Sequence, residues 1–309
     1  MSSAAKSDEK RLPGCATAQG TLRYAARFQG RAAPGHFRDV QAGLVLSSIG
    51  IGTYLGEPDE ATDKGYTSAV VAAVEGGINV VDSAINYRLQ RSERSVGAAL
   101  KQLAAKGFPR DEIVLCTKAG FLTPDGEMPD DANEYFAREY IEPGIFRPED
   151  IAAGCHCMTP RYLADQLDRS RRNLDVECVD VFYLHNPETQ LSEIPQEEFL
   201  LRIRAAFEFC ESAAADGKLR FYGVATWNAF RQDPGAKDHL SLEALVAIAT
   251  EVGGENHRMR FVQMPFNLGM APFTVMLSAP ASQARHHAAQ IDYVQTIYGD
   301  REWYLPNGN

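Results

Sequence analysis

No stretch of the 309-residue chain is apolar for the roughly 20 residues that a membrane-spanning helix needs, so no membrane partner is expected. Basic residues are in deficit: 31 Lys and Arg stand against 41 Asp and Glu, a net charge of -10. That balance offers no basic face for nucleic acid. Cysteine is sparse and scattered, at Cys15, Cys116, Cys155, Cys157, Cys178 and Cys210, with none of the spacing of a disulfide frame. Reduced thiols of an intracellular chain are the simplest reading. Cys155-His156-Cys157 has no second Cys or His pair at finger-like spacing, so it reads as a loop or turn before a helix rather than a metal site. The start, Met1 to Arg11, is polar and mixed in charge, unlike a secretory signal, and a cytoplasmic location is expected.

What is present is ordinary globular composition, 45% hydrophobic and 23% charged, with length enough for one α/β barrel of ~250 residues. Residues 1–40 show little periodicity and are expected to form an N-terminal extension to a domain over 41–309. From there short apolar runs alternate with helical spacing. Leu44-Val45-Leu46 and Ser48 to Gly52 read as short strands, and 61–76 as a helix with Tyr66, Ala69, Val70, Ala73 and Val74 on one side. Strands follow at Ile78–Val81, Ile113–Cys116, Val179–Leu184, Arg220–Val224 and Phe261–Met264. Between them, helices begin near Ser92-Glu93, at Thr159-Pro160 with a cap and a proline at the first helical position, near 195, and at Ser241. Alternating strand and helix predicts a parallel sheet covered by helices, and the apolar strands suit burial on both faces.

A Rossmann sheet is the rival architecture, because Gly50, Gly52 and Gly56 follow a strand. Leu55 occupies the third glycine position, however, and Glu57, Asp59 and Glu60 crowd the helix start with charge that repels a pyrophosphate.

Polar residues fall at telling places. Asp82, Lys118 and His185 each end a different expected strand, Tyr87 lies in the loop after Asp82, and Gln263 lies within the sixth strand. Singly each has a bland role: a cap, a half-buried aromatic, a solvated strand end, a turn. In a parallel barrel, however, all strand C-termini open on one face, so the set converges. The chemistry is coherent. A phenol with a pKa of ~10 gives up its proton poorly near neutrality, and a neighbouring ammonium favours the phenolate. Asp82 would hold Lys118 charged, and His185 would bond a substrate oxygen.

The run Gly50-Ile51-Gly52-Thr53-Tyr54, then Gly77 to Tyr87, then Ser92-Glu93-Arg94-Ser95-Val96-Gly97 resembles the aldo-keto reductase signature. Thr117-Lys118, Val181 to His185, Gly217 to Val224 and Val262 to Asn267 are similar to the family's third to sixth strands. The resemblance spans roughly 44–268 and implies a (β/α)8 TIM-type barrel. It implies Asp82, Tyr87, Lys118 and His185 as the catalytic tetrad. It places Gly52, Thr53, Tyr54, Asp82, Thr226 and Gln263 at an NADPH or NADH cofactor. The implied reaction is reversible reduction of an aldehyde or ketone to an alcohol, with no metal and a small carbonyl or alcohol as partner.

Three departures accompany the likeness. Ala225-Thr226 stand where the family has Ser-Asn against the cofactor carboxamide. An insertion at 121–158, acidic and aromatic, reads as a solvated loop or as a lid. The segment 271–309 shows no family pattern. Phe273–Leu277 is a doubtful seventh strand, too close to Asn267 for a crossover of ~10–12 residues, and no eighth is found. An incomplete barrel with six clear βα strands is therefore expected. A non-catalytic remnant acting as a binding protein is the alternative function.

Overall fold

The computed structural model describes residues 11–40, 42–265 and, for the backbone alone, 292–293. Helix α1, Ala18–Ala26, opens with Thr17, whose hydroxyl accepts from the Gly20 amide at 2.9 Å. Strands β1, Phe37–Val40, and β2, Leu44–Ser47, pair antiparallel. Then come β3 (Ile51–Gly52), α2 (Glu60–Glu75), β4 (Val80–Asp82), α3 (Arg91–Ala105) and β5 (Val114–Ala119). The short α4 (Ala132–Phe136) lies in the insertion. After it follow α5 (Pro160–Asn173), β6 (Val179–His185), α6 (Gln196–Ala215), β7 (Leu219–Ala225), α7 (Leu242–Gly253), β8 (Met259–Gln263) and β9 (Asp292–Tyr293). The strands β3 to β9 lie in chain order in one all-parallel sheet. The architecture is the (β/α)8 barrel, of which seven strands are among the described residues.

The caps expected at Thr159 and Ser241 form, on the amides of Tyr162 and Ala244. Helix α3 begins differently. Its cap position is Gln90, and the Ser92 hydroxyl instead donates to the Thr53 carbonyl at 2.7 Å. Residues 11–40 also carry more structure than their weak periodicity suggests. Tyr24 of α1 is fully buried, and its hydroxyl donates to the Val74 carbonyl at 2.5 Å. The seventh strand sits at Asp292–Tyr293, against Phe261 and Val262 of β8. The candidate at Phe273–Leu277 lies outside the described residues. No described helix is long and apolar enough to cross a membrane.

Side chains along a strand alternate between faces, and here each face has its own core. Val81, Leu115, Phe182, Leu184, Tyr222, Val224 and Val262 face outward and pack with helix residues such as Val70, Leu100, Leu163, Phe207 and Leu245. Val80, Val114, Cys116, Val181, Tyr183, Phe221 and Phe261 face inward, joined by Leu44 and Leu46 of β2. At Gly223 a Cβ would meet the Phe261 carbonyl oxygen at 1.8 Å, so only glycine lets β7 and β8 approach at the register shift between Tyr222 and Gly223.

The insertion is more than a bare acidic loop. Tyr140, Phe146 and Cys157 form a small core with Tyr162 of α5, and the rings of Tyr140 and Phe146 stack 5.3 Å apart. The acidic Asp125, Glu127, Asp130, Asp131 and Glu134 face solvent around it.

At the strand N-termini Asp180 joins segments distant in sequence. It accepts from Arg110 at 2.6 Å, from the Ala16 amide at 2.6 Å and from the Leu115 amide at 2.8 Å, with its side chain fully buried. Removing the carboxylate strands a guanidinium whose side chain is 4% exposed. Asp180→Ala is therefore expected to cost about 3–5 kcal/mol, read as a lower urea midpoint with an unchanged slope.

Candidate active site

The inward-facing register continues to the open, C-terminal end of the sheet and there turns from apolar to polar. Asp82 follows Val80 by two residues, Lys118 follows Cys116, His185 follows Tyr183, and Gln263 follows Phe261. Each shares a face with its apolar predecessor, so the packing that fills the interior also aims these four side chains inward. The Lys118 ammonium donates to Asp82 Oδ2 at 2.7 Å and to the Ser83 carbonyl at 2.8 Å. Both side chains are at most 2% exposed. Burial opposes the charge on Lys118, but Asp82 and Tyr87 outweigh it, and the ammonium is held above its ordinary pKa.

Tyr87 is carried by the loop after β4, is buried, and lies with its ring centroid 4.9 Å from Lys118 Nζ. The rings of Tyr54 and His185 approach it edge-on at 4.9 and 5.9 Å. His185 Nδ1 lies 3.2 Å from Asn86 Oδ1, and an amide oxygen only accepts, so Nδ1 donates and Nε2 is left as the acceptor of the neutral ring. Burial first, then Lys118 and His156, pushes His185 well below its ordinary pKa, and the ring is neutral.

Of the residues expected at a cofactor, Gly52 pairs with Asp82, and the buried Thr53 hydroxyl bonds Ser83 Oγ at 2.9 Å. Tyr54 is half-exposed at the rim. Across the opening Thr226 donates its amide to the Gln263 carbonyl at 2.9 Å and its hydroxyl to Glu188. Burial pushes the Glu188 carboxyl up to about 7. Its other oxygen, Oε2, is buried with no partner among the described residues. The site is therefore assembled as follows: Asp82, Tyr87, Lys118 and His185 lie on one side, and Thr226 and Gln263 lie at the ends of β7 and β8.

Sequence reasoning missed Asn86, Glu188, Phe121 and His156. Asn86 sits in the quoted stretch beside Tyr87, so its position was a usable signal. His156 lay in a pattern read as a turn. It is 1% exposed, and burial lowers its pKa to about 4. Among the described residues no group of three or more His, Cys, Asp or Glu could hold a metal.

The family model described as Aldo/keto reductase family matches residues 48–239, well over half of the chain. The D-threo-aldose 1-dehydrogenase of a Pseudomonas species is 28% identical over 188 residues, covering 60% of this chain and 51% of its own. The holo form of aldo-keto reductase AKR11C1 from Bacillus halodurans superposes with a TM-score of 0.53 at 19% identity, covering 84% of this chain and 65% of that one. An aldo/keto reductase from Klebsiella pneumoniae, solved with NADP and acetate, gives 0.50 at 18% identity, with 84% and 66% covered. The chain spans about half the length of the curated relative named here.

The two buried histidines set a pH dependence of stability. His156 and His185 have pKa values below that of an unfolded histidine, so the folded state binds fewer protons. The His156 contribution is whole above ~6.5 and is lost as pH falls towards about 4, with a slope of up to about 1.4 kcal/mol per pH unit, and that of His185 is lost in the same direction. Glu188 acts oppositely: its raised pKa favours the folded state below about 4.5, and that contribution is lost as pH rises through about 7. Urea midpoints measured from pH 4 to 8 are expected to rise less steeply over 4–6.5 in His156→Gln, and Glu188→Gln is expected to hold a higher midpoint at pH 8 relative to pH 5 than the parent does.

Proposed function

The chain belongs to the aldo/keto reductase family, and on that premise we propose that it reversibly reduces an aldehyde or ketone to an alcohol with NADPH or NADH. The observation that carries this reading is the buried Lys118–Asp82 pair beneath the Tyr87 ring with His185 beside it. The donor set at the other edge fits a nicotinamide carboxamide, which both donates and accepts hydrogen bonds. Thr226, Gln263 and the unpartnered Oε2 of Glu188 offer both kinds of group. Bound there, the dinucleotide supplies the hydride that reaches the carbonyl carbon.

Tyr87 delivers the proton to the carbonyl oxygen as negative charge develops on it, and retakes it in the reverse direction. Lys118 stabilises the negative charge that Tyr87 acquires, and Asp82 keeps the ammonium charged and in place. His185 orients the substrate oxygen through Nε2. With Nδ1 donating to Asn86 Oδ1, Nε2 accepts from the alcohol hydroxyl. Turning the Asn86 amide nitrogen to Nδ1 would place the proton on Nε2 and let it donate to a carbonyl. Thr53 and Gly52 shape the floor between Asp82 and the rim, and Tyr54 covers Tyr87. Free thiols at all six cysteines suit a reducing cytoplasm.

Turnover is tested by the fall in NADPH absorbance with a panel of aldehydes and ketones, and binding by fluorescence titration. Tyr87→Phe is expected to lose at least ~100-fold in kcat while keeping its dinucleotide affinity within a factor of about two. A Tyr87→Phe variant as active as the parent would end the proposed mechanism. Saturable binding without turnover of any carbonyl supports the binding-protein alternative instead.

A further inference from the structure

The insertion delivers a histidine to the rear of the site. His156 is 1% exposed, and its Nε2 lies 2.8 Å from the backbone carbonyl of His185. A carbonyl only accepts, so Nε2 carries the proton. The other ring nitrogen, Nδ1, must then accept, and it does so from Gln190 Nε2 at 2.8 Å. Gln190 has no choice of orientation, because its Oε1 takes a bond from Arg202 at 2.5 Å, and a guanidinium only donates. Donor and acceptor directions are thus fixed from Arg202 through Gln190 and His156 to the His185 carbonyl.

Three further contacts converge there. The next amide, that of Asn186, donates to the Ala225 carbonyl at 2.7 Å, so the peptide after His185 is held at both ends. The Phe121 ring meets the His156 ring edge-on at 5.2 Å and the His185 ring edge-on at 5.1 Å. Gly120 makes room for the contact. It has φ +155, and a Cβ there would stand 2.5 Å from His156 Nε2 and 2.8 Å from the His185 carbonyl oxygen.

We propose that His156 is a positioning residue: through the His185 carbonyl and the shared Phe121 ring, the insertion fixes where the His185 imidazole stands in the site. The kinetic consequence rests on the proposed carbonyl reduction. The structural consequence does not. A side chain misplaced by ~1 Å can cost two orders of magnitude in rate, so a second tether on His185 matters for turnover.

The test compares His156→Leu, which removes both ring nitrogens, with His156→Gln, whose side-chain amide reaches as far as Nε2 and can donate. In the full chain, His156→Leu is expected to lower kcat/KM for the carbonyl by ~10–100-fold, with dinucleotide affinity within about two-fold, and His156→Gln to restore most of it. In a His185→Ala background, His156→Leu should cost nothing more, because its effect passes through His185. Independently of turnover, the His185 imidazole 15N signals, assigned by their loss in His185→Ala, should move in His156→Leu and return in His156→Gln. An equal loss in both backgrounds, or unmoved His185 signals, overturns the proposal. Should His156→Leu not fold, His156→Asn, too short to reach the carbonyl, is read the same way, and failure of both to fold marks His156 as merely structural and overturns the proposal too. A parent chain that reduces no carbonyl ends the functional reading, while the His185 signals still decide the positioning role.

Discussion

The register of the parallel strands is the constraint on which the open end of the sheet depends, because it ties each polar side chain to the packing two residues before it. Val80 and Asp82, Cys116 and Lys118, Tyr183 and His185, Phe261 and Gln263 are pairs on one face, the first buried among apolar neighbours and the second at the rim of the same row. A slip of one residue in any strand would drive its polar end outward and its apolar partner out of the interior. The register is thus held by the full hydrophobic stake of the interior. Lys118 shows the consequence. It can keep its charge inside only because Asp82 comes from the adjacent strand in the right row, and a buried charge without its partner is strongly destabilising.

Tyr87 is held by other means, since it stands on no strand. The three residues after it, Arg88, Leu89 and Gln90, all have left-handed backbones, with φ of 49, 56 and 69. Such conformations cost ~1–3 kcal/mol each for residues with a side chain and persist only where the surroundings impose them. The surroundings do so here. Arg88 donates to the carbonyls of Glu57 and Asp59 and pairs with Asp63 at 2.6 Å, and Gln90 bonds Pro124 and Asn173. The phenol's place is therefore set by α2, the insertion and α5 together.

How much of this was legible follows from the range of each signal. Strand ends and helix caps are local, so Asp82, Lys118, His185, Thr159 and Ser241 could be read from alternation and short spacing. The Asp180 node and the His156 contact were not legible. Arg110 and Asp180 are 70 positions apart, and His156 and His185 are 29 apart, so nothing local marks either pairing. Helix α1 escaped for a related reason: its buried face comprises Gly20, Thr21 and Tyr24, of which only Tyr24 is large, a weak periodic signal. In the insertion, acidic residues dominated the reading because they are numerous, while the fold is set by the few aromatics that meet α5.

The electrostatics of the site restrict which group can serve as the proton source in the proposed reaction. His185 is buried beside the Lys118 ammonium, and a second cation there would be desolvated and repelled, so the imidazole stays neutral through the physiological range. His156 behind it is neutral for the same first reason and carries its proton towards a backbone carbonyl, away from the opening. The Lys118 ammonium is committed to Asp82 and the Ser83 carbonyl, and losing its proton would leave the buried Asp82 carboxylate uncompensated. With both histidines neutral and the ammonium engaged, the phenol of Tyr87 is the remaining acid of the four proposed catalytic groups. The cation beneath its ring lowers the cost of giving the proton up, which is the condition a carbonyl oxygen receiving charge requires.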